Sequence, residues 1–361
     1  MSRPARAIIN LSNLTLNLKV AQSLSPSSKT VAVVKANGYG HGLKEVALAL
    51  DNNADALAVA CIDEALEIRA AGVKSPIIIL EGFYDKNEVE VAAANNFWLV
   101  LSCLESIDSI LKMKLKDKLT LWLKVETGMH RFGLSYDDLN QAYAKLLASD
   151  AINKNIVIMT HFACADELDN QMTAEQIKEF KTLTVSTNVQ HSLANSAGLL
   201  AWPESRAHWN RPGYMLYGVN PLKHDHINAK NLKAVMTLKS AITHIKSIES
   251  GDSVGYGSAW TADRDSTIAI VAIGYGDGYP RNARNGTPVL VNGVRIPLVG
   301  RVSMGVITID ITDNKNIAVG DEVILWGDGL SISEVASNAG TVGYELLAGM
   351  PARVPRIYQE S

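Results

Sequence analysis

Cysteine is scarce in this chain. The three residues present, Cys61, Cys103 and Cys164, are odd in number and far apart, which argues against a disulfide framework. No apolar run approaches the roughly 20 residues needed to span a bilayer. The N-terminal stretch MSRPARAIINLSNLTLNL carries early positive charge but is broken at Asn10, so a secretory signal is not expected, and the N-x-S/T matches at Asn10 and Asn13 carry no glycosylation meaning. Neither sign of charge is in excess. Thirty-four Lys and Arg against 37 Asp and Glu give a formal net charge of -3, which offers no electrostatic footprint for nucleic acid or a membrane surface. Internal repeats and low-complexity segments are also missing. What remains is a chain of 361 residues, 47% hydrophobic and 20% charged, the balance of a cytoplasmic globular enzyme. It is too long for one ordinary core, and two domains are expected.

From about residue 30 to 220 one rhythm repeats: a short apolar run, a polar loop, then a helical pattern. The runs are TVAVVK (30–35), ALAVAC (56–61), PIIIL (76–80), FWLVLS (97–102), LTLWLKVE (119–126), NIVIMTHF (155–162) and the less apolar QHSLANS (190–196). An eighth strand is expected in RAHWNR (206–211), with MLYGV (215–219) competing for it. Continuous apolar runs fit strands covered on both faces, as in parallel sheets. Eight such units predict a (β/α)8 barrel over residues 1–231, with an open doubly wound sheet as the alternative. Residues 232–361 change character: strands alternate, glycines punctuate them and helices nearly vanish. Asn292-Gly293, between PVLV and VRIPLV, is a two-residue hairpin signal. A mainly antiparallel β domain is predicted there, and the N-terminal strand ARAIIN is a candidate to join it.

Barrels gather functional groups at the C-terminal ends of their strands, where the βα loops converge. Strand one ends in Lys35, strand five leads to Lys124, Glu126 and Arg131, strand six ends at His161, strand seven at Asn195 and Ser196, and strand eight at Arg211. A lysine at the inner end of an apolar strand is desolvated, which favours the neutral amine able to form a Schiff base with an aldehyde. A strand-end lysine reaching solvent fits the composition as well. Gly38, Gly40 and Gly42 resemble a phosphate cradle but lack the spacing of a dinucleotide or P-loop fingerprint. Gly213 and Tyr214 would open a helix after strand eight, offering free backbone N–H groups, although a plain tight turn is equally compatible. His161 with the nearby Cys164 and Asp166 lacks the further ligands of a metal centre, so no metal is expected. The absence of a G-x-S-x-G elbow removes a Ser-His-Asp hydrolase.

VVKANGYGHG resembles the cofactor signature of the alanine racemases, fold-type III pyridoxal-phosphate enzymes. The resemblance continues through LKVETGMHRFG (123–133), THFACADE (160–167), SLANSAG (192–198), NRPGYMLYG (210–218), VGYGSAW (254–260), IGYGDGYPR (273–281), VGRVSMG (299–305) and GYE (343–345), in order along nearly the whole chain. It implies a pyridoxal 5'-phosphate enzyme that racemises alanine by a two-base mechanism, for cell-wall supply or for catabolism. Lys35 would bind the cofactor and serve one face of the substrate Cα, and Tyr256 the other, because removal and return of a proton on opposite sides need two groups. Arg211 would face the pyridine nitrogen, and His161 would link Tyr256 to Arg211. Arg131 would bind the substrate carboxylate or the cofactor's phenolic oxygen, held by Lys124, which is N-carbamylated in many members. Tyr39, Ser196, Gly213, Tyr214 and Tyr344 would surround the phosphate, and Met304 would touch substrate through its backbone. The resemblance also implies a homodimer in which Tyr256 and Met304 reach the partner's barrel.

Two positions depart from the family pattern. Glu126 stands where aspartate is usual before T-G, a mild change. Gly305 follows Met304 where aspartate is usual, which puts substrate range in doubt and leaves serine or broader specificity as the alternative. The rivals are a decarboxylase of related architecture, whose cysteine-containing acidic motif is missing, and a single-barrel cofactor carrier, which lacks a second domain and any counterpart of Tyr256.

Overall fold

The computed structural model describes residues 3–185 and 187–359. By contacts the chain forms two compact units: Leu14–Gly38 with Leu43–Lys233, and Met1–Asn13 and Tyr39–Gly42 with Ala234–Ser361. A short strand, β1 (Arg6–Asn10), leads into the helix Leu11–Ser23. Eight strands follow: β2 (Lys29–Val33), β3 (Ala56–Val59), β4 (Ile77–Ile79), β5 (Phe97–Leu101), β6 (Thr120–Lys124), β7 (Val157–Met159), β8 (Gln190–Ser192) and β9 (Trp209–Asn210). Each pairs in parallel with its neighbour from β2 to β8, and β9 pairs in parallel with β2. The ring is thus nearly closed, with its seam between β8 and β9. Just beyond the strand ends the Arg211 N–H donates to the Ala194 carbonyl (2.9 Å), and the Ser192 hydroxyl donates to the Trp209 carbonyl (2.8 Å). This is the expected (β/α)8 barrel.

The apolar runs become strands because both faces are covered: every residue of β3 and β4 is buried. Trp98, Trp122 and Trp209, from β5, β6 and β9, pack with ring centroids 5.5–6.4 Å apart. The helices between strands start on recognisable signals. Asp85 and Glu88 form a capping box before Lys86–Ala94, and the side chains of Ser135 and Asn195 cap the helices that follow them. The eighth strand lies in RAHWNR, while most of MLYGV coils into a 3-10 turn, Tyr214–Tyr217. Among the described residues no helix is long and apolar enough to cross a membrane.

The second unit is built on β10 (Met236–Ile248), a 13-residue strand with two register shifts that lets it pair with several partners. After β11 (Ser253–Val254) and β12 (Trp260–Thr261) come β13 (Ser266–Val271), β14 (Pro288–Val291), β15 (Val294–Pro297), β16 (Ile307–Asp310), β17 (Glu322–Trp326) and β18 (Arg356–Gln359). The main sheet runs β15-β14-β17-β10-β1-β18, with β13 joining β10 to β16. Its pairs are antiparallel except β1 with β18. Asn292 and Gly293 (φ 51° and 79°) make the two-residue turn between β14 and β15, both at the positive φ such a turn requires. Two helices, Ile332–Asn338 and Gly343–Ala348, interrupt what reads as an all-β region. At about two turns each they are too short to show a helical period in sequence.

Candidate active site

Lys35 emerges just past β2 and opens a turn of reversed hand. Ala36, Asn37, Gly38 and Tyr39 sit at φ 54°, 56°, 59° and 49°. A left-handed run costs roughly 1–2 kcal/mol per non-glycine residue, so this backbone persists only because its surroundings hold it. Gly38 N–H donates to the Val34 carbonyl (2.8 Å), Leu43 N–H to Asn37 Oδ1 (2.9 Å), and Ala36 N–H to Glu64 Oε1 (2.7 Å). The glycines that suggested a phosphate cradle answer to packing: a Cβ on Gly38 would stand 3.1 Å from Val46, and one on Gly40 would strike the Leu347 carbonyl.

β6 ends at Lys124, which is buried and forms no ion pair among the described residues. Its Nζ lies 5.4 Å from the centre of the Phe132 ring. Burial, followed by the positive charges of Arg131 and Arg211, lowers its pKa to about 8. The loop to Arg131 is organised by Glu126. Its Oε1 accepts from the backbone N–H groups of Gly128 (2.5 Å) and Met129 (2.8 Å). Burial alone would raise this carboxyl, but backbone donation outweighs it and holds the pKa low. The glutamate thus serves as the loop's anion. Gly133 closes the loop, since a Cβ there would meet the Glu126 backbone at 2.4 Å. Arg131 itself is exposed.

His161 follows β7. Burial, then the charges of Arg211, Lys124, Arg131 and Lys35, hold it well below the usual histidine range, so the imidazole is neutral. Gln176 fixes this segment by donating to the His161 carbonyl (3.0 Å) and accepting from Ala163 N–H (3.0 Å). Arg211, 4% exposed, lies at the barrel seam. Nη1 donates to the Ser192 carbonyl (2.9 Å) and hydroxyl (2.6 Å), and Nη2 to the carbonyls of Thr160 (2.5 Å) and Leu193 (3.3 Å). Both terminal nitrogens are thereby committed, and Nε–H has no acceptor among the described residues. Burial brings its pKa down to about 10, so it stays charged at neutral pH. Ser196 Oγ accepts from the N–H groups of Gly213 (2.9 Å) and Met215 (3.2 Å), tying the β8 loop to the turn that opens at Tyr214. Lys35, Lys124, Arg131 and Arg211 form no ion pair among the described residues.

The other sequence candidates belong to the second unit. Tyr39 and Tyr344 face one another with ring centres 6.4 Å apart, and burial pushes the Tyr39 phenol up to about 12. Tyr256 sits between Gly255 and Gly257 (φ 73° and 69°) and is 69% exposed, while Met304 is 60% exposed. The Met304 loop is pinned from behind: Tyr275 N–H donates to the Ser303 carbonyl (3.0 Å) and Gly276 N–H to the Met304 carbonyl (2.8 Å). Arg3 donates to the Gly305 carbonyl (3.1 Å) and pairs with buried Asp277 (2.9 Å), which Arg353 also meets (3.0 Å).

Residues 9–221 match the alanine racemase N-terminal domain and residues 235–358 the alanine racemase C-terminal domain. The chain belongs to the alanine racemase family. It is an isomerase acting on alanine. It is similar to the catabolic alanine racemase of Pseudomonas putida, 46% identical over 356 residues that cover 99% of both chains. Its fold superposes on the biosynthetic alanine racemase of Pseudomonas aeruginosa with a TM-score of 0.96 at 42% identity, covering 99% of this chain and 100% of that one. The alanine racemase of Bartonella henselae, solved with covalently bound pyridoxal phosphate, matches with a TM-score of 0.90 at 30% identity, covering 99% of each chain.

For a racemase of this family the barrel's charge pattern has a direct meaning. A site that gathers unpaired cations around a neutral imidazole suits a ligand bearing a phosphate and a substrate bearing a carboxylate. The sequence reading missed Glu64 and Gln176, which hold the Lys35 turn and the His161 segment, and, in the other unit, the Arg3–Asp277–Arg353 cluster beside Gly305. Glu64 and Gln176 stand on helices where they read as ordinary polar residues. No sequence signal links Arg3 to Asp277, 274 positions away.

Proposed function

We propose that the chain racemises alanine with pyridoxal 5'-phosphate bound at the barrel mouth, Lys35 and Tyr256 serving opposite faces of the substrate Cα. The observation that carries this proposal is the convergence of Lys35, Lys124, Arg131 and Arg211 on His161, none of the four in an ion pair among the described residues. The residues suit the cofactor's chemistry: a strand-end amine would bind its aldehyde, an Arg211 Nε–H could donate to its pyridine nitrogen, and Ser196, Gly213 and Tyr214 of the barrel, with Tyr39 and Tyr344 of the other unit, are the groups the family resemblance assigns to its phosphate. When bound, the cofactor supplies an electron sink that acidifies the substrate Cα–H.

Arg211 can only donate, so a pyridine nitrogen held against it would stay unprotonated, which would limit the electron sink and suppress side reactions. Neutral His161 would connect Tyr256 to Arg211 and help the phenol give up its proton. Arg131 would take the substrate carboxylate or the cofactor's phenolic oxygen. Next to it, Lys124 as a cation would repel it. With its pKa near 8, part of Lys124 is the neutral amine, to which CO2 would add with release of one proton to solvent, and the resulting carbamate would instead hold Arg131. Tyr256 and Met304, exposed in the single chain, would complete the partner's barrel in a cytoplasmic homodimer with shared active sites. A two-fold pair supplies two equivalent sites from that arrangement and closes on itself. D-Alanine would serve cell-wall synthesis or be consumed in catabolism.

Borohydride reduction of the holoenzyme followed by peptide mapping tests the centre of this proposal, alongside a D-alanine-forming assay from L-alanine. A cofactor label on Lys35 supports it, and a label on another lysine contradicts it. Gly305 favours one second reading, acceptance of serine, because the carboxylate usual there is missing. Comparable kcat/KM for L-serine and L-alanine would support that breadth.

A further inference from the structure

We propose that Glu64 is a positioning residue for Lys35, its carboxylate holding the left-handed turn that aims the lysine. This rests on Lys35 being the cofactor lysine. Glu64 stands in the first turn of the helix Ile62–Ala70. One oxygen, Oε2, accepts from Ala60 N–H (2.8 Å), a local bond to the residue before the helix's N-cap, Cys61. The other, Oε1, crosses to the neighbouring strand end and accepts from Ala36 N–H (2.7 Å), 28 residues away in sequence. That N–H belongs to the peptide joining Lys35 to Ala36, so the bond sets the plane from which the lysine side chain departs.

Among the other ties of the turn, Gly38 N–H reaches back across it to the Val34 carbonyl and Leu43 N–H donates to Asn37 Oδ1. At its start, Ala36 carries a Cβ at φ 54°, where right-handed backbone is preferred. The carboxylate is suited to the task because it accepts at both oxygens. Glutamine would accept at one oxygen and turn an NH2 toward the other N–H, so either the local bond to Ala60 or the crossing bond must fail. Aspartate is one methylene too short to span both.

A merely local bond to Ala60 predicts a different phenotype from a positioning residue, and Glu64→Gln in the holoenzyme separates them. Thermal melting reads the fold, amide exchange by mass spectrometry reads the 34–40 peptide, and cofactor release with steady-state kinetics reads the site. The expected result is exchange faster by about tenfold at that peptide, about the loss of one hydrogen bond. Cofactor release should accelerate by a similar factor and kcat should fall at least as much, with KM for alanine little changed, since other groups bind its carboxylate. A second variant removes dependence on folding yield. Ala36→Gly relieves the positive φ, so adding it to Glu64→Gln should restore part of the cofactor retention and kcat, which a role confined to the local bond at Ala60 would not allow. Faster exchange with unchanged cofactor release and kcat would overturn the proposal, as would a double variant no better than Glu64→Gln. Borohydride mapping of the unaltered enzyme reports separately on Lys35, so a failure there is distinguishable from a failure here.

Discussion

Arg211→Lys keeps a positive charge at the barrel seam but replaces a planar fork with a single ammonium. The guanidinium donates four hydrogen bonds to acceptors on Thr160, Ser192 and Leu193, which follow or end β7 and β8, while Arg211 itself follows β9. It therefore ties three neighbouring strand ends together where the ring closes. An ammonium has three donors on one atom and cannot reach both sides of this arrangement, so at least two bonds are lost. Hydrogen bonds to a charged donor contribute about 1.5–3 kcal/mol each, and a carbonyl left buried without a donor costs about 1–3 kcal/mol. The lost bonds and orphaned acceptors describe the same contacts, so the net destabilisation is about 3–4 kcal/mol. For a unit of roughly 200 residues, a loss of 1 kcal/mol lowers Tm by about 2–4 °C, giving a fall of about 10 °C. Far-UV circular dichroism melts of both proteins, with and without added pyridoxal 5'-phosphate, measure it. A variant melting within about 2 °C of the parent without cofactor would refute the structural half of this role.

Two further predictions concern Lys124 and assembly. With CO2 excluded, the Lys124 amine titrates near 8 in the folded chain and near 10.5 unfolded, so between these values the unfolded chain binds more protons and stability rises with pH, by about 3 kcal/mol at most. Bicarbonate should abolish that rise and add the mass of CO2 to the Lys124 peptide under non-denaturing conditions, whereas an unchanged slope and mass would exclude the carbamate. Mixing inactive Lys35→Ala and Tyr256→Phe chains under subunit exchange should restore about a quarter of parental activity if sites are shared across a two-fold dimer, and none if each site is built within one chain.

The barrel was legible in sequence because parallel strands covered on both faces leave uninterrupted apolar runs, and because several of these runs lead into a polar residue at the mouth, such as Lys35, Lys124 and His161. Its weakest member, β9, is two residues long, and only the position of Arg211 after it distinguishes RAHWNR from MLYGV. The Asn292-Gly293 turn was legible because its chemistry is local. The helices Ile332–Asn338 and Gly343–Ala348 were not, being too short for a periodic signal. At the site, residue types at strand ends could nominate Lys35, His161 and Arg211, but roles for Tyr256 and Met304 came from family resemblance, since an exposed tyrosine between glycines has no signature of its own. The reversed turn after Lys35 was hidden: glycines near a lysine suggest a phosphate loop, and only the backbone angles show that they serve handedness and close packing.

The central claim, two opposed acid/base groups with Tyr256 as one of them, is tested most directly by α-hydrogen exchange in Tyr256→Phe. The substitution removes one hydroxyl and leaves the ring, so cofactor binding should persist while one face of Cα loses its acid/base group. The variant is incubated separately with L- and D-alanine in D2O, and deuterium at Cα is followed by NMR and mass spectrometry. Racemisation should be lost while one enantiomer alone still exchanges, through Lys35. Equal residual exchange from both enantiomers, or retained racemisation, would contradict the assignment.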